Sequence, residues 1–179
     1  KPCWLMQVNY MMIDPARPTL PDLPDGVEVT HDHLLDQQVH VTQPKTGYRV
    51  GSDAVLAAAS LTAGRGRVLD LGAGVGGISL CIARRLSRMH VTAVEIDPVA
   101  AALARYNVAL NGLDQQVRVV DADITAMPAM LADSFDHVIS NPPYHHKAGT
   151  RPRHAARAMA HMGADTGLQD WVKAAVWAA

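Results

Sequence analysis

The amino-acid sequence predicts an α/β fold organised around a doubly wound, mostly parallel sheet. Three observations carry that prediction. From residue 67 onward, short apolar runs of strand character alternate with stretches of helical character, in a βαβαβ rhythm whose crossovers set successive strands parallel. A glycine-rich turn joins the first of these strands to the first helix, and a carboxylate ends the second strand, where a parallel sheet opens its ligand crevice. Finally, 179 residues with 49% apolar content suit one domain with a real core rather than a disordered tail.

The elements follow in chain order. Residues 1–26 carry Pro2, Pro15, Pro18, Pro21 and Pro24 and keep no period of 2 or 3.6, which predicts a poorly ordered leader. The chain starts with Lys1, and Met11-Met12 opens a more ordinary stretch, so the first ten residues are expected to be foreign to the natural protein. The domain proper is expected over 27–179. Val27 to Thr30 and Val39 to Thr42 alternate as a half-buried hairpin does, at about 27–43. Ser52 or Asp53 can cap a helix through Ala54 to Ala59 that Gly64 terminates. Arg67 to Leu71 reads as a buried strand and Ile78 to Leu86 as a helix. His90 to Glu95 is a second strand, and Asp97-Pro98 starts a helix that ends at Asn111-Gly112. Val117 to Val120 and His137 to Ser140 supply two more strands. Asp165 or Thr166 can cap a last helix through Leu168, Trp171, Val172 and Val176.

Several function classes fall away on composition. No apolar run reaches the roughly 18–20 residues of a membrane span. Cys3 and Cys81 form no disulfide framework and no secretory leader is visible, so a reducing, cytoplasmic setting is the expectation. A net charge of −1 argues against a globally basic nucleic-acid binder while leaving local patches open. His31, His33, His145 and His146 lack the Cys or carboxylate partners that metal spacing requires, and no metal site is expected.

The glycine turn is Asp70-Leu71-Gly72-Ala73-Gly74-Val75-Gly76-Gly77, between a strand and a helix. Gly72, Gly74 and Gly77 satisfy the dinucleotide spacing G-x-G-x-x-G, and Glu95 about 20 residues on can accept from ribose hydroxyls, so a dinucleotide and an S-adenosylmethionine site are both compatible with the spacing. Asp70, a carboxylate just before the glycines, makes the turn resemble the S-adenosylmethionine site of Rossmann-like methyltransferases. That resemblance implies cofactor contacts at Asp70, Gly72, Gly74, Gly76 and Glu95. It also implies an acceptor for the adenine amino group at Asp123 and a ring contact at Ile124, although an Asp after a strand is also a common turn former.

Asn141-Pro142-Pro143-Tyr144 follows the fourth strand and resembles the N-P-P-Y motif of methyltransferases that modify planar amino or amide nitrogens. The chemistry explains the residue types. A nitrogen conjugated to a ring or carbonyl is a poor nucleophile because its lone pair is delocalised. Two acceptors, the Asn141 side-chain oxygen and the Pro142 carbonyl, can hold its N–H protons so that the lone pair faces a sulfonium methyl. Tyr144 offers a flat face for stacking. Upstream, Gln43-Pro44-Lys45-Thr46-Gly47-Tyr48-Arg49 and Gly51 to Leu56 resemble a narrower group, bacterial methyltransferases acting on adenine N6 in the anticodon loop of a valine tRNA. In that resemblance Gln43, Tyr48, Arg49 and Asp53 border the cofactor or hold the cap over it.

Residues 145–161 carry Lys147, Arg151, Arg153 and Arg157 with no acidic residue, a local patch able to bind phosphates beside a flipped base, or simply a solvated basic loop. Three functions stay open: adenine N6 methylation of tRNA, with DNA as a variant; methylation of a glutamine amide in a protein such as a release factor; and a non-catalytic cofactor-binding module. The sequence stops inside its last predicted helix, whereas methyltransferases of this resemblance continue for roughly three more strands. The expectation is therefore a Rossmann-like sheet lacking its C-terminal strands, with the strand before Asn141 at an edge, and a chain impaired in stability or turnover by that truncation.

Overall fold

The computed structural model describes residues 17–62, 64–142 and 167–179. A two-stranded antiparallel hairpin, β1 (Val29–Leu34) and β2 (Val39–Pro44), leads into helix α1 (Ser52–Ser60). Then β3 (Gly66–Leu71), α2 (Gly77–Arg85), β4 (Met89–Glu95), α3 (Pro98–Leu110), β5 (Val117–Asp121) and β6 (His137–Ser140) follow, and α4 (Leu168–Ala178) closes the described chain. The four later strands form one sheet in the order β5-β4-β3-β6, every pair parallel. Among the described residues β6 is an edge strand, paired only with β3.

Period-two alternation sorts side chains to the two faces of this sheet. Val68 and Val91 point into a core with Ile78, Leu80, Cys81 and Ile82 of α2, Leu103 and Val108 of α3, and the hairpin's Val39 and Val41. Leu69, Leu71 and Val94 point the other way, against Leu131, Phe135, Trp171, Ala174 and Ala178. Both faces are covered, as buried parallel strands require.

The local signals are realised with two shifts. Asp97 caps α3 as predicted, its Oδ1 accepting from Val99 and Ala100 N–H at 2.8 and 2.9 Å, with Pro98 at the first helical position. Helix α1, by contrast, has Gly51 at its N-cap and no side-chain cap. Asp53 is engaged elsewhere, as described below, and so is not the cap the sequence offered. The helix also stops at Ser60, short of Gly64. The last helix begins after Gly167; Asp165 and Thr166 lie outside the described residues. Of the proline-rich leader, residues 1–16 are likewise outside them. Residues 17–26 hold no helix or strand, yet Leu23 packs on the core and Arg17 Nε donates to the Tyr106 hydroxyl at 3.4 Å, so this part of the leader is laid against the domain.

The hairpin is fastened to α3 by two asparagine amides. Asn107 Oδ1 accepts from Thr42 N–H at 2.7 Å while its Nδ2 donates to the Thr42 and Val75 carbonyls at 2.9 and 3.0 Å. Asn111 repeats the pattern on His40, accepting at 2.8 Å and donating at 2.7 Å. Each side-chain amide pairs with a strand backbone as another strand would, which satisfies β2's outer edge and fixes the chain leading to the site.

Candidate functional site

The site lies at the carboxyl ends of β3, β4, β5 and β6. Asp70 shares a face of β3 with Val68, and so points under α2 rather than to solvent. It is fully buried. Its Oδ2 accepts from Ser79 Oγ at 2.6 Å and Ser79 N–H at 3.2 Å, while Oδ1 has no partner among the described residues. Burial pushes its pKa up to about 7 against the Ser79 hydrogen bonds, with Glu95 adding like-charge repulsion. After Leu71 the chain turns through Gly72, Gly74 and Gly76, all at positive φ. Ala73 N–H is held by the Val94 carbonyl at 3.0 Å. At Gly77 the constraint is close approach, because a Cβ there would come within 2.4 Å of Val50 Cγ1.

Glu95 ends β4 almost buried. Its Oε2 accepts from Gly74 N–H at 2.7 Å, and Oε1 from Ile96 and Asp97 N–H at 2.9 and 2.8 Å. Three of a carboxylate's roughly four acceptor positions are therefore taken, leaving Oε2 one more. Desolvation raises its pKa, partly countered by those amides.

Between Glu95, Gly72, Asp123 and Ile124 lies a cavity of about 20 Å³, closed on one side by Trp171 of α4. That is about one water's room, against ~300–1,000 Å³ for a small-molecule site. The indole, 6% exposed, lies so close over Gly72 that a Cβ there would sit 2.5 Å from Trp171 Cη2. Gly72 thus serves both a left-handed turn, at φ +66°, and an aromatic neighbour. Asp123 forms the turn that follows β5, its Oδ1 accepting from Thr125 N–H and Oγ1 at 2.8 Å each, and it also lines the cavity. Ile124 lines the cavity and packs on the Trp171 cluster.

Asn141 leaves β6 beside this turn, and Ser140 Oγ, donating to the Leu71 carbonyl at 2.9 Å, ties the two strand ends together. The Asn141 Nδ2 donates to Asp53 Oδ2 at 2.6 Å and to the Tyr48 hydroxyl oxygen at 2.9 Å. Tyr48 in turn donates to Asp53 Oδ2 at 2.7 Å. Desolvation pushes the Asp53 carboxyl up, but bonds from Tyr48, the Ala54 amide, Asn141 and the Gly51 amide outweigh it and hold the pKa below its usual value. Desolvation and Asp53 push the Tyr48 hydroxyl up to about 12, which keeps it protonated at neutral pH.

Gln43 stands apart. Buried, it donates to Asp32 Oδ2 at 2.9 Å and accepts from Val50 N–H at 2.8 Å, so both ends of its amide are engaged away from the cavity. Arg49 joins the same knot through Asp32 at 2.8 Å, and together they pin the segment that carries Tyr48. Pro142 is half-buried after Asn141. Tyr144 and the basic residues Lys147, Arg151, Arg153 and Arg157 lie outside the described residues. Among the described residues, no group of three His, Cys, Asp or Glu is arranged to hold a metal.

The profile of a family described as "methyltransferase small domain" matches residues 46–168, which span the glycine turn, Glu95, Asp123 and Asn141. The chain belongs to that family. Relatives of this methyltransferase domain include the tRNA1(Val) (adenine(37)-N6)-methyltransferase of Shewanella amazonensis, 40% identical over 59% of this chain and 45% of that protein. Proteins of the same description from Mannheimia succiniciproducens and Aeromonas hydrophila are 34% and 39% identical, over 78% and 71% of this chain and 57% and 53% of theirs. The chain thus spans about half the length of the curated relatives it matches. Among solved structures, M. jannaschii TYW2 in complex with AdoMet shares the fold, with a TM-score of 0.54 at 23% identity over 65% of this chain and 52% of that one.

Ser79, Ser140 and Trp171 also contribute to the candidate site. Ser79 fixes Asp70, Ser140 ties β6 to the glycine turn, and Trp171 walls the cavity. None carries a local signal, since each acts on a residue brought near only by folding.

Proposed function

We propose that this methyltransferase domain binds S-adenosylmethionine and transfers its methyl group to the exocyclic N6 amino group of an adenine in tRNA, in the cytoplasm. The observation that carries the proposal is the Asn141 amide, anchored through Nδ2 beside the glycine turn, so that Oδ1 is the end left to accept a proton from an incoming amino group. The donor set fits the cofactor: the buried Asp70 Oδ1, unpartnered among the described residues, suits a cationic ammonium, Glu95 retains an acceptor for a ribose hydroxyl, and Asp123 and Ile124 suit an adenine edge and face. S-adenosylmethionine supplies an electrophilic methyl on a sulfonium. Trp171 must give way for an adenosine group to enter the space it now narrows.

The chain's own part in catalysis is positioning. Asn141 Oδ1 and the Pro142 carbonyl hold the two amino protons, which aims the nitrogen lone pair. The proton leaves after the nitrogen has become cationic, so no strong base is needed. The names of the relatives favour tRNA over other acceptors, and residues 145–161 supply cations for a phosphate backbone. The test offers labelled S-adenosylmethionine with tRNA, DNA and a release factor in separate reactions. Label in tRNA as N6-methyladenine is expected, lost in Asn141→Ala with cofactor binding retained. Label on a protein glutamine would overturn the assignment.

A further inference from the structure

We propose that Tyr48 and Asp53 are positioning residues that hold the Asn141 amide with its Oδ1, and not its Nδ2, facing the acceptor nitrogen. The inference rests on the reading above in requiring a planar amino or amide acceptor. It gives these two residues a role different from bordering the cofactor.

An asparagine amide has two ends of nearly equal shape and opposite hydrogen-bonding sense. Facing an amino group, the wrong end sets N–H against N–H, and the acceptor is neither held nor activated. A turn made of Asn and Pro residues does not decide between the two ends. Here Nδ2 is committed to two acceptors, Asp53 Oδ2 at 2.6 Å and Tyr48 Oη at 2.9 Å. Tyr48 spends its own proton on Asp53 at 2.7 Å, which closes the triangle and leaves its oxygen as an acceptor. Turning the amide over would set Oδ1 against the Asp53 carboxylate, acceptor against acceptor. Asp53 is itself fixed, its Oδ1 accepting from Gly51 N–H at 3.2 Å.

The three residues come from separate parts of the chain: the segment after β2, the first turn of α1 and the end of β6, with Asp53 and Asn141 separated by 88 positions in sequence. Asp53 lies in the first turn of α1, and its carboxylate serves both the backbone at the start of that helix and the Asn141 amide. Its charge also polarises the amide toward Oδ1, strengthening that acceptor as the methylated nitrogen becomes positive.

The test uses the purified protein with Asp53→Ala, Tyr48→Phe, Asn141→Ala and the double variant of Asp53 and Asn141. Expected is a fall in kcat on the order of 10²-fold for Asp53→Ala, with cofactor Kd changed by less than about threefold. Asp53→Glu is expected to recover part of the rate. In the Asn141→Ala background the Asp53 change should cost nothing more, because its effect passes through the amide. An additive loss there, or a Kd change as large as the kcat change, overturns the proposal in favour of cofactor contact. Nitrogen-resolved NMR of the cofactor-free protein gives a readout independent of activity. The Asn141 side-chain protons should be displaced downfield and should move in both Asp53→Ala and Tyr48→Phe. Unmoved signals sink the orientation whatever the enzyme does. Intact signals with no methyl transfer by the wild type to any amino or amide acceptor sink the functional reading and the positioning role together.

Discussion

Asp70 is a carboxylate held where its charge is least welcome, and its titration makes the site's chemistry measurable. Its folded-state pKa is about 7 against an ordinary 3.8, raised first by desolvation. Below the lower value it is neutral in both states and imposes no penalty. As pH rises from there toward about 7, the unfolded chain ionises while the fold keeps the proton, so stability falls, and above about 7 the loss is complete. Unfolding free energies of wild type and Asp70→Asn should therefore converge in acid and diverge toward neutral pH, with the variant gaining; parallel curves would refute this assignment. On the proposed placement of the cofactor's ammonium near Oδ1, binding reverses the preference, because a cation there favours the anion. Calorimetry in buffers of unequal ionisation heat should then show proton release near pH 7 in the wild type and none in Asp70→Asn. Gly72 is the other residue with a sharp forecast. Gly72→Ala meets a left-handed backbone, worth about 1–2 kcal/mol, and a ring at 2.5 Å. Urea denaturation should register at least that loss, along with a change in tryptophan fluorescence as Trp171 is displaced.

Among the elements, the strands and helices of the sheet were readable because each is decided within a few residues. Val68, Leu69 and Leu71 make a short apolar run, bounded by glycines, of the kind a strand buried on both faces carries, and Asp97-Pro98 is a helix start with its own cap. What local reading could not supply were contacts across the chain. Asp53 looks like a helix cap until Asn141 arrives to claim it, while Asn107 looks like an ordinary polar residue of an Ala-rich helix, and Asn111 like its end, until the hairpin lies beside them. The hairpin attachment is open to a direct check. Asn107→Ala strips partners from the Thr42 N–H, the Thr42 carbonyl and the Val75 carbonyl, all in the interior. At about 1–3 kcal/mol per stranded buried group, with relaxation recovering part, a loss of about 2–4 kcal/mol is expected. Hydrogen exchange at Thr42 should accelerate; unchanged protection there would mean the hairpin is held by apolar packing alone.

For the molecule as a whole, a net charge of −1 conceals an uneven distribution: four permanent cations and no acid between residues 145 and 161. If those cations meet tRNA phosphates, affinity should fall steeply with salt, and replacing Arg151 or Arg153 by Gln should flatten the log–log slope by about 1 each. An unchanged slope would assign the segment to solvent. The order of strands in the sheet bears on how the molecule is assembled. Strands β3, β4 and β5 are neighbours both in sequence and in space, but β6 returns past them to pair with β3, and Ser140 meets Leu71 across 69 residues of chain. Closing so long a loop carries an entropic cost that the nearer pairings avoid. The expected folding order has the strands of the glycine turn and Glu95 paired before β6 docks, and pulse-labelled hydrogen exchange with β6 amides protected first would refute it. During synthesis, the strands that carry the glycine turn and Glu95 emerge before the one that carries Asn141, so the proposed donor-binding half of the site is made before the proposed acceptor-holding half.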